Sequence, residues 1–173
     1  MSDTATTTAN QYLTFRLDNG RYAINVGRVR EVLEHTGVTR IPGMPPYMEG
    51  VLNVRGNVLP VIDMRTKFGM EHLETQIDTA IVVTEIVRDT GTVVIGCKTD
   101  AVEEVVDIMP DAIEPPPAIG TEISSDFISG IGKSDDEFVI ILDVERVFGD
   151  TEIGNLASVA PGAGEAPGEE DAK

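Results

Sequence analysis

Tryptophan is absent from this 173-residue chain, and only three Tyr and five Phe are present. A core must then be built mainly from Val, Ile and Leu, and the β-branched members of that set favour strands. Cysteine is nearly absent too. Cys97 alone can form neither an internal disulfide nor a thiolate metal cage, which fits a reducing compartment. Positive charge is scarce: 13 basic residues against 30 acidic ones leave a net charge of −17. That balance excludes sequence-independent binding to nucleic acid or to an anionic membrane surface, both of which need Lys/Arg patches. No apolar run approaches the length of a membrane span. The opening MSDTATTTAN lacks the basic and apolar regions of a signal peptide. The expectation is a soluble, cytoplasmic protein without membrane insertion.

What charge there is divides unevenly. Residues 11–79 hold eight acidic and eight basic residues, whereas 80–150 hold sixteen acidic and four basic. A neutral half joined to an acidic half suggests two modules with different surfaces. A solvated acidic face and a partner-steering face are both open readings. Residues 1–10 read as a loose polar tail. Residues 151–173, with PGAGEAPGEEDAK from Pro161, cannot bury a core and read as an acidic, mostly disordered tail.

Between the tails, short apolar runs alternate with turns. Leu13, Phe15 and Leu17 alternate on one strand face before an Asp18-Asn19-Gly20 turn, and Tyr22–Asn25 returns. Val29, Val32 and Leu33 have the spacing of a short helical turn. Val51–Arg55 and Val58–Ile62 flank Gly56-Asn57, a favourable hairpin dipeptide. Thr79–Val87 and Thr92–Cys97 form a further hairpin, and Phe138–Leu142 is the last strand. A two-residue loop at Gly56-Asn57 would set Pro60 against Asn53 as a hydrogen-bonded pair, and proline has no N–H to donate. Either the register differs or the strand lies at an edge.

The chain repeats itself. RVREVL (Arg28–Leu33) recurs as AVEEVV (Ala101–Val106), 73 residues on. VLPVIDM (Val58–Met64) recurs as FVIILDV (Phe138–Val144), and Phe68-Gly69 as Phe148-Gly149, both 80 residues on. The extra residues fall in the loop around Pro115–Ser129. Two homologous small barrels follow, about 15–80 and 81–150 within a domain spanning 11–150, each too small to be stable alone.

A catalytic constellation is not found. His35 and His72 lack partners at ligand spacing. Cys97 ends an apolar strand and reads as a buried thiol. Gly132-Lys133-Ser134 resembles the end of a phosphate loop, but Phe127 stands where that motif needs glycine, and three acidic residues follow. It reads as a turn. Where the first copy carries NVRGN (Asn53–Asn57), the second carries GKSDD (Gly132–Asp136), so the hairpin tip differs on a repeated frame and is the place to look for function.

At YAINVGRVREVL, GVLNVRGNVLPVIDMRTKFG, VEEVVDIMPDAIEPPP and GIGKSDDEFVIILDVERVF the chain resembles the CheW family of chemotaxis coupling proteins. The resemblance covers about residues 11–150. It implies an all-β fold with short helices, made of two intertwined five-stranded barrels of SH3-like topology. It implies no enzymatic activity and no cofactor. It implies two partners, the regulatory domain of the histidine kinase CheA and the cytoplasmic tip of methyl-accepting chemoreceptors. Carried over by position, Glu31 and Arg55 match a charged pair near the binding surfaces, with Val29, Gly50, Asn53 and Gly56 around it. Val102 and Val105 match apolar positions near the receptor groove. For the three valines, core packing is the competing reading, and for Gly56 a turn needing positive φ. A coupling protein of another chemosensory system, such as twitching motility, and a small-molecule or nucleotide-binding β-barrel are the alternatives.

Overall fold

A computed structural model describes residues 10–148 except 36, 72–73, 89–90, 116–126 and 135. Residues 1–9, the C-terminal tail, His72, Gly149 and most of the Pro115–Ser129 loop lie outside the described residues. Ten strands account for more than half of the described residues: β1 (Gln11–Leu17), β2 (Gly20–Asn25), β3 (Val29–Glu34), β4 (Met48–Val54), β5 (Asn57–Asp63), β6 (Ala80–Arg88), β7 (Gly91–Thr99), β8 (Ala101–Asp107), β9 (Ile128–Ser134) and β10 (Glu137–Leu142). One-turn helices α1 (Met64–Lys67) and α2 (Val144–Val147) follow β5 and β10. Each starts at an aspartate that the two repeats share: Asp63 and Asp143 accept from the backbone N–H two residues on.

The strands form two five-stranded sheets of identical plan, β8-β1-β2-β10-β9 and β3-β6-β7-β5-β4. In each, one parallel contact (β2 with β10, β5 with β7) joins antiparallel hairpins. Neither sheet follows the division at residues 80–81. The β1–β2 hairpin of the first repeat completes the sheet of the second, and β6–β7 completes the sheet of the first. The exchange shows in the cores. Leu52, Leu59, Val61, Ile81 and Val83 fill the second sheet's barrel, and Ala23, Ile108, Val139 and Ile141 the first's. The largest cluster lies between them and draws on both, with Phe15, Leu17 and Ile24 packed with Ile62, Met64, Ile86, Ile95 and Phe148.

Polar contacts add to this junction. Arg65 of α1 holds Asp100 with two bonds of 2.8 Å, and Asp100 also accepts from the Asp18 N–H in the β1–β2 turn. Asp100 thereby raises the Arg65 pKa, through hydrogen bonding before charge. Lys67 sets its ammonium against the rings of Tyr47, Phe127 and Phe148, 5.0–5.6 Å from their centroids.

Three local readings need correction. Val29–Leu33 is strand, not helical turn, and so is Ala101–Val106. Their β-branched residues pair with β6 and β1, and a bulge between Val29 and Glu31 breaks simple alternation. A 3-10 turn does occur, three residues earlier at Val26–Arg28, capped by the Asn25 side chain. Gly132-Lys133-Ser134 belongs to β9, and the turn comes after it, where Asp136 has φ 65°.

The third correction concerns the β4–β5 turn. Val54 pairs with Asn57, so the loop is Arg55-Gly56 rather than Gly56-Asn57. Both loop residues have positive φ, 51° and 87°, as a type I′ turn requires. This one-residue shift places Pro60 opposite Val51, at a site where the two strands exchange no hydrogen bonds. The Val51 N–H and C=O instead bond Thr39 on the far side, both at 2.8 Å. The missing proline N–H is therefore not missed by β4.

Candidate functional site

Six of the eight residues singled out in the sequence gather on the second sheet. Val29 and Glu31 lie on β3, its outermost strand; Gly50 and Asn53 lie on β4, the other outermost strand; Arg55 and Gly56 form the β4–β5 turn. Curling of the sheet brings its two ends together: Arg55 Nη2 donates to Glu31 Oε2. Glu31 is on a strand rather than a helical turn, but the pairing expected from the resemblance is present.

The local chemistry explains how the turn is held. Asn53 Oδ1 accepts from the Gly56 N–H at 3.0 Å, satisfying a donor that the tight turn leaves free. The Arg55 side chain is 69% exposed and Glu31 31%. An exposed pair of this kind contributes only about 0.2–1 kcal/mol to stability. Against that stands the backbone at Arg55. A side chain with a Cβ in the left-handed region costs about 1–2 kcal/mol, and Asn or Gly would relieve it. The turn therefore presents a fixed, planar, exposed guanidinium at a conformational cost that its ion pair does not clearly offset.

Gly50 has a different role. It is buried, has φ 151°, and a Cβ there would lie 2.1 Å from the Thr39 carbonyl oxygen. Its absent side chain lets the 38–39 backbone close onto β4. Val29 is half-buried against the shared core, opposite Thr84.

Val102 and Val105 are on β8, in the other sheet. Val102 is half-buried against the shared core, opposite Phe15; Val105, opposite Leu13, is 50% exposed. The structure thus separates these two from the Arg55 group.

Sequence reasoning missed a charge network on the first sheet. Arg16 donates through both Nη atoms to Glu137, at 2.7 and 3.0 Å, and through Nε to Glu103 at 2.8 Å. The guanidinium holds the Glu137 carboxyl below the usual carboxylate range, chiefly by these hydrogen bonds. Arg21, buried, donates to Glu103 and Glu104 at 2.9 and 3.0 Å. Arg16 and Glu137 are 121 residues apart, and no local pattern marks them as partners.

His35 is half-buried, 3.3 Å from Glu49, which also faces the Lys98 ammonium at 3.4 Å. Burial pushes the Cys97 thiol up to about 12, against a smaller lowering from the Thr84 hydroxyl, so it is a poor nucleophile at neutral pH. Among the described residues no group of His, Cys, Asp and Glu is arranged to hold a metal, and no helix is long and apolar enough to cross a membrane.

Comparison with known proteins gives a consistent result. The family model of the CheW-like domain matches residues 11–152. The chain is 29% identical over 154 residues to the chemotaxis protein CheW of Klebsiella aerogenes, covering 89% of this chain and 90% of that protein. It is 34% identical over 138 residues to the CheW of Helicobacter pylori, covering 80% and 81%. A shorter match, 37% over 57 residues and 33% of this chain, is to protein PilI of Pseudomonas aeruginosa. The crystal structure of the scaffolding protein TtCheW from Thermoanaerobacter tengcongensis superposes with a TM-score of 0.73 at 34% identity, over 82% of this chain and 88% of that one.

Proposed function

Since this chain belongs to the CheW-like domain family of chemotaxis scaffolds, we propose that it joins the regulatory domain of the histidine kinase CheA to the cytoplasmic tip of chemoreceptors, in the cytoplasm and without chemistry of its own. The observation that carries this reading is Arg55. A non-glycine residue at φ 51°, exposed at a hairpin tip and oriented by Glu31, stands where asparagine would fold more easily. Arginine suits a protein interface because its donors are planar and fixed. In this reading Val29, Glu31, Asn53, Arg55 and Gly56 form the kinase-coupling surface, Gly50 supports it from below, and Val102 and Val105 belong to the receptor groove.

The test is a reconstituted receptor–kinase assay with Arg55→Ala, Arg55→Lys and Glu31→Ala, beside thermal melts. Each variant should melt within a few degrees of wild type and lose coupling, with Arg55→Lys closer to Arg55→Ala than to wild type. An Arg55→Ala protein that melts and couples normally would reduce the pair to a solvated contact and remove this assignment. A coupling role in a different chemosensory system is the second reading. The match to protein PilI spans 57 residues, against 138–154 for the CheW relatives. Affinity for the chemotaxis kinase domain, measured by pull-down, separates the two.

A further inference from the structure

Arg40 differs from every other arginine of the chain. There are nine, all among the described residues, and eight of them donate to a carboxylate or a backbone carbonyl. Arg40 is exposed and, among the described residues, donates to neither. This is in a chain with 30 acidic residues. A guanidinium left open there has its planar donors available to a further carboxylate.

Arg40 borders a cleft of about 260 Å³ in the segment between β3 and β4, with Ile41, Met44 and Met48 as its apolar walls. The cleft is preformed. Thr39 bonds Val51 through both its N–H and its C=O, at 2.8 Å each; at the other end the Met48 N–H donates to the Pro45 C=O at 3.0 Å, and the Tyr47 C=O accepts from the Asp63 N–H at 2.8 Å. Pro42, Pro45 and Pro46 restrict the chain between those anchors. The volume lies below the roughly 300–1,000 Å³ of small-molecule sites, so it suits one or two side chains better than a cofactor. Glu49 also borders the cleft, but its carboxylate already faces the Lys98 ammonium at 3.4 Å and the His35 ring at 3.3 Å. Its charge is thereby offset toward an incoming acid.

Lys67 shows what lies within reach. Its ammonium is 5.0 Å from the Tyr47 ring centroid and 5.6 Å from that of Phe148, so the two rings lie within about 11 Å of each other. Tyr47 sits between Pro46 and Met48 of the cleft, and Phe148 is the last described residue. Beyond it the sequence continues Gly149-Asp150-Thr151-Glu152-Ile153, which sets an acid directly before a large apolar residue. Ile153 is five residues past Phe148, and extended chain at about 3.3–3.6 Å per residue gives it a reach of about 17 Å.

We propose that residues 150–153 of this chain dock in the cleft, with the Glu152 carboxylate on Arg40 and Ile153 against Met44 and Met48. The segment is tethered beside its site, so a weak contact suffices to hold it. The end of the second repeat is then strapped to the β3–β4 segment of the first. Neither kinase nor receptor takes part, so the docking stands or falls independently of that assignment.

NMR of the full chain tests it. Backbone order parameters at residues 151–153 should approach the roughly 0.85 of rigid backbone, while those beyond Pro161 stay below about 0.6. Arg40→Glu and Ile153→Ser should each bring residues 151–153 below about 0.6. Each should also shift the Met44 and Met48 methyl resonances and leave that of Met64, buried in the shared core, in place. Melts should stay within a few degrees of wild type, and Arg40→Gln replaces Arg40→Glu should the latter unfold. Arg40→Glu combined with Glu152→Arg should restore the order and the methyl positions. Low order parameters at 151–153 in wild type, order that survives Arg40→Glu, Met44 and Met48 methyls that ignore Ile153→Ser, or a charge swap that restores nothing would each overturn the proposal.

Discussion

Arg16 of β1 and Arg21 of β2 are direct cross-strand partners, two like charges held together by one carboxylate. Glu103 Oε2 accepts from Arg16 Nε at 2.8 Å, and Oε1 accepts from Arg21 Nε at 2.9 Å. Like charges directly opposite destabilise a sheet, so the pair depends on its bridge. Glu103→Ala should therefore cost about 1–3 kcal/mol, because the buried Arg21 loses a partner. Adding Arg16→Ala to Glu103→Ala should recover part of the loss. Urea unfolding of the single and double variants checks both; a double variant less stable than Glu103→Ala would contradict the bridging role.

Glu137 gives a pH dependence. Its folded pKa is depressed by the Arg16 fork, so its contribution is present above the unfolded carboxylate value of roughly 4.3. That contribution is lost as pH falls through the lower folded value. Glu137→Gln should melt below wild type at neutral pH, and the difference should shrink as the solution is acidified past that range. A gap that does not change with pH would mean the carboxylate's charge is not what matters.

The Arg55 turn predicts a separation of stability from coupling. Arg55→Asn creates Asn-Gly, the dipeptide that a type I′ turn prefers. It should raise the melting temperature, by an amount equivalent to about 1 kcal/mol less the ion pair, while coupling falls. A variant that melts lower than wild type would show that the Glu31 contact outweighs the backbone strain.

Gly50→Ala should behave in the opposite way. Its Cβ would meet backbone rather than a flexible side chain. Overpacking of this kind costs about 1–3 kcal/mol, and the left-handed backbone adds to it. Thermal melts should show a large drop, and any coupling defect should follow the loss of folded protein.

Separate expression of residues 1–78 and 79–150 should give no cooperative melt in either fragment. The first lacks β6 and β7, and the second lacks β1 and β2, the middle strands of their respective sheets. Mixing the two fragments should restore a transition. A cooperative melt in each fragment alone would show that the hairpin exchange is dispensable.

Much of this architecture is legible in the residues. The alternation at Leu13, Phe15 and Leu17, the Asp18-Asn19 turn and the capping aspartates before both short helices are local signals, and the structure follows them. The repeat also foretells that the two sheets share one plan. Which copy each hairpin joins is not legible. Nothing local distinguishes a hairpin that stays with its own repeat from one that crosses over. The Val29–Val32–Leu33 spacing misleads because a bulge imitates helical periodicity. The Arg55 turn is half-legible: glycine marks the bend, while the impossibility of pairing Pro60 with Asn53 is the clue to its true register. The Glu31–Arg55 contact came from family resemblance, since 24 residues and a sheet's curvature lie between the partners.

The hairpin exchange also orders events during synthesis. β3 to β7 form one uninterrupted stretch, so the second sheet has all its strands once Thr99 has left the ribosome. The first sheet cannot close then. β1 and β2 emerge earliest, yet β10, which pairs with β2, emerges after every other strand. Between the emergence of Thr99 and that of Leu142 the nascent chain thus carries a finished barrel in its middle and an N-terminal hairpin whose Phe15, Leu17 and Ile24 have only part of their final cover.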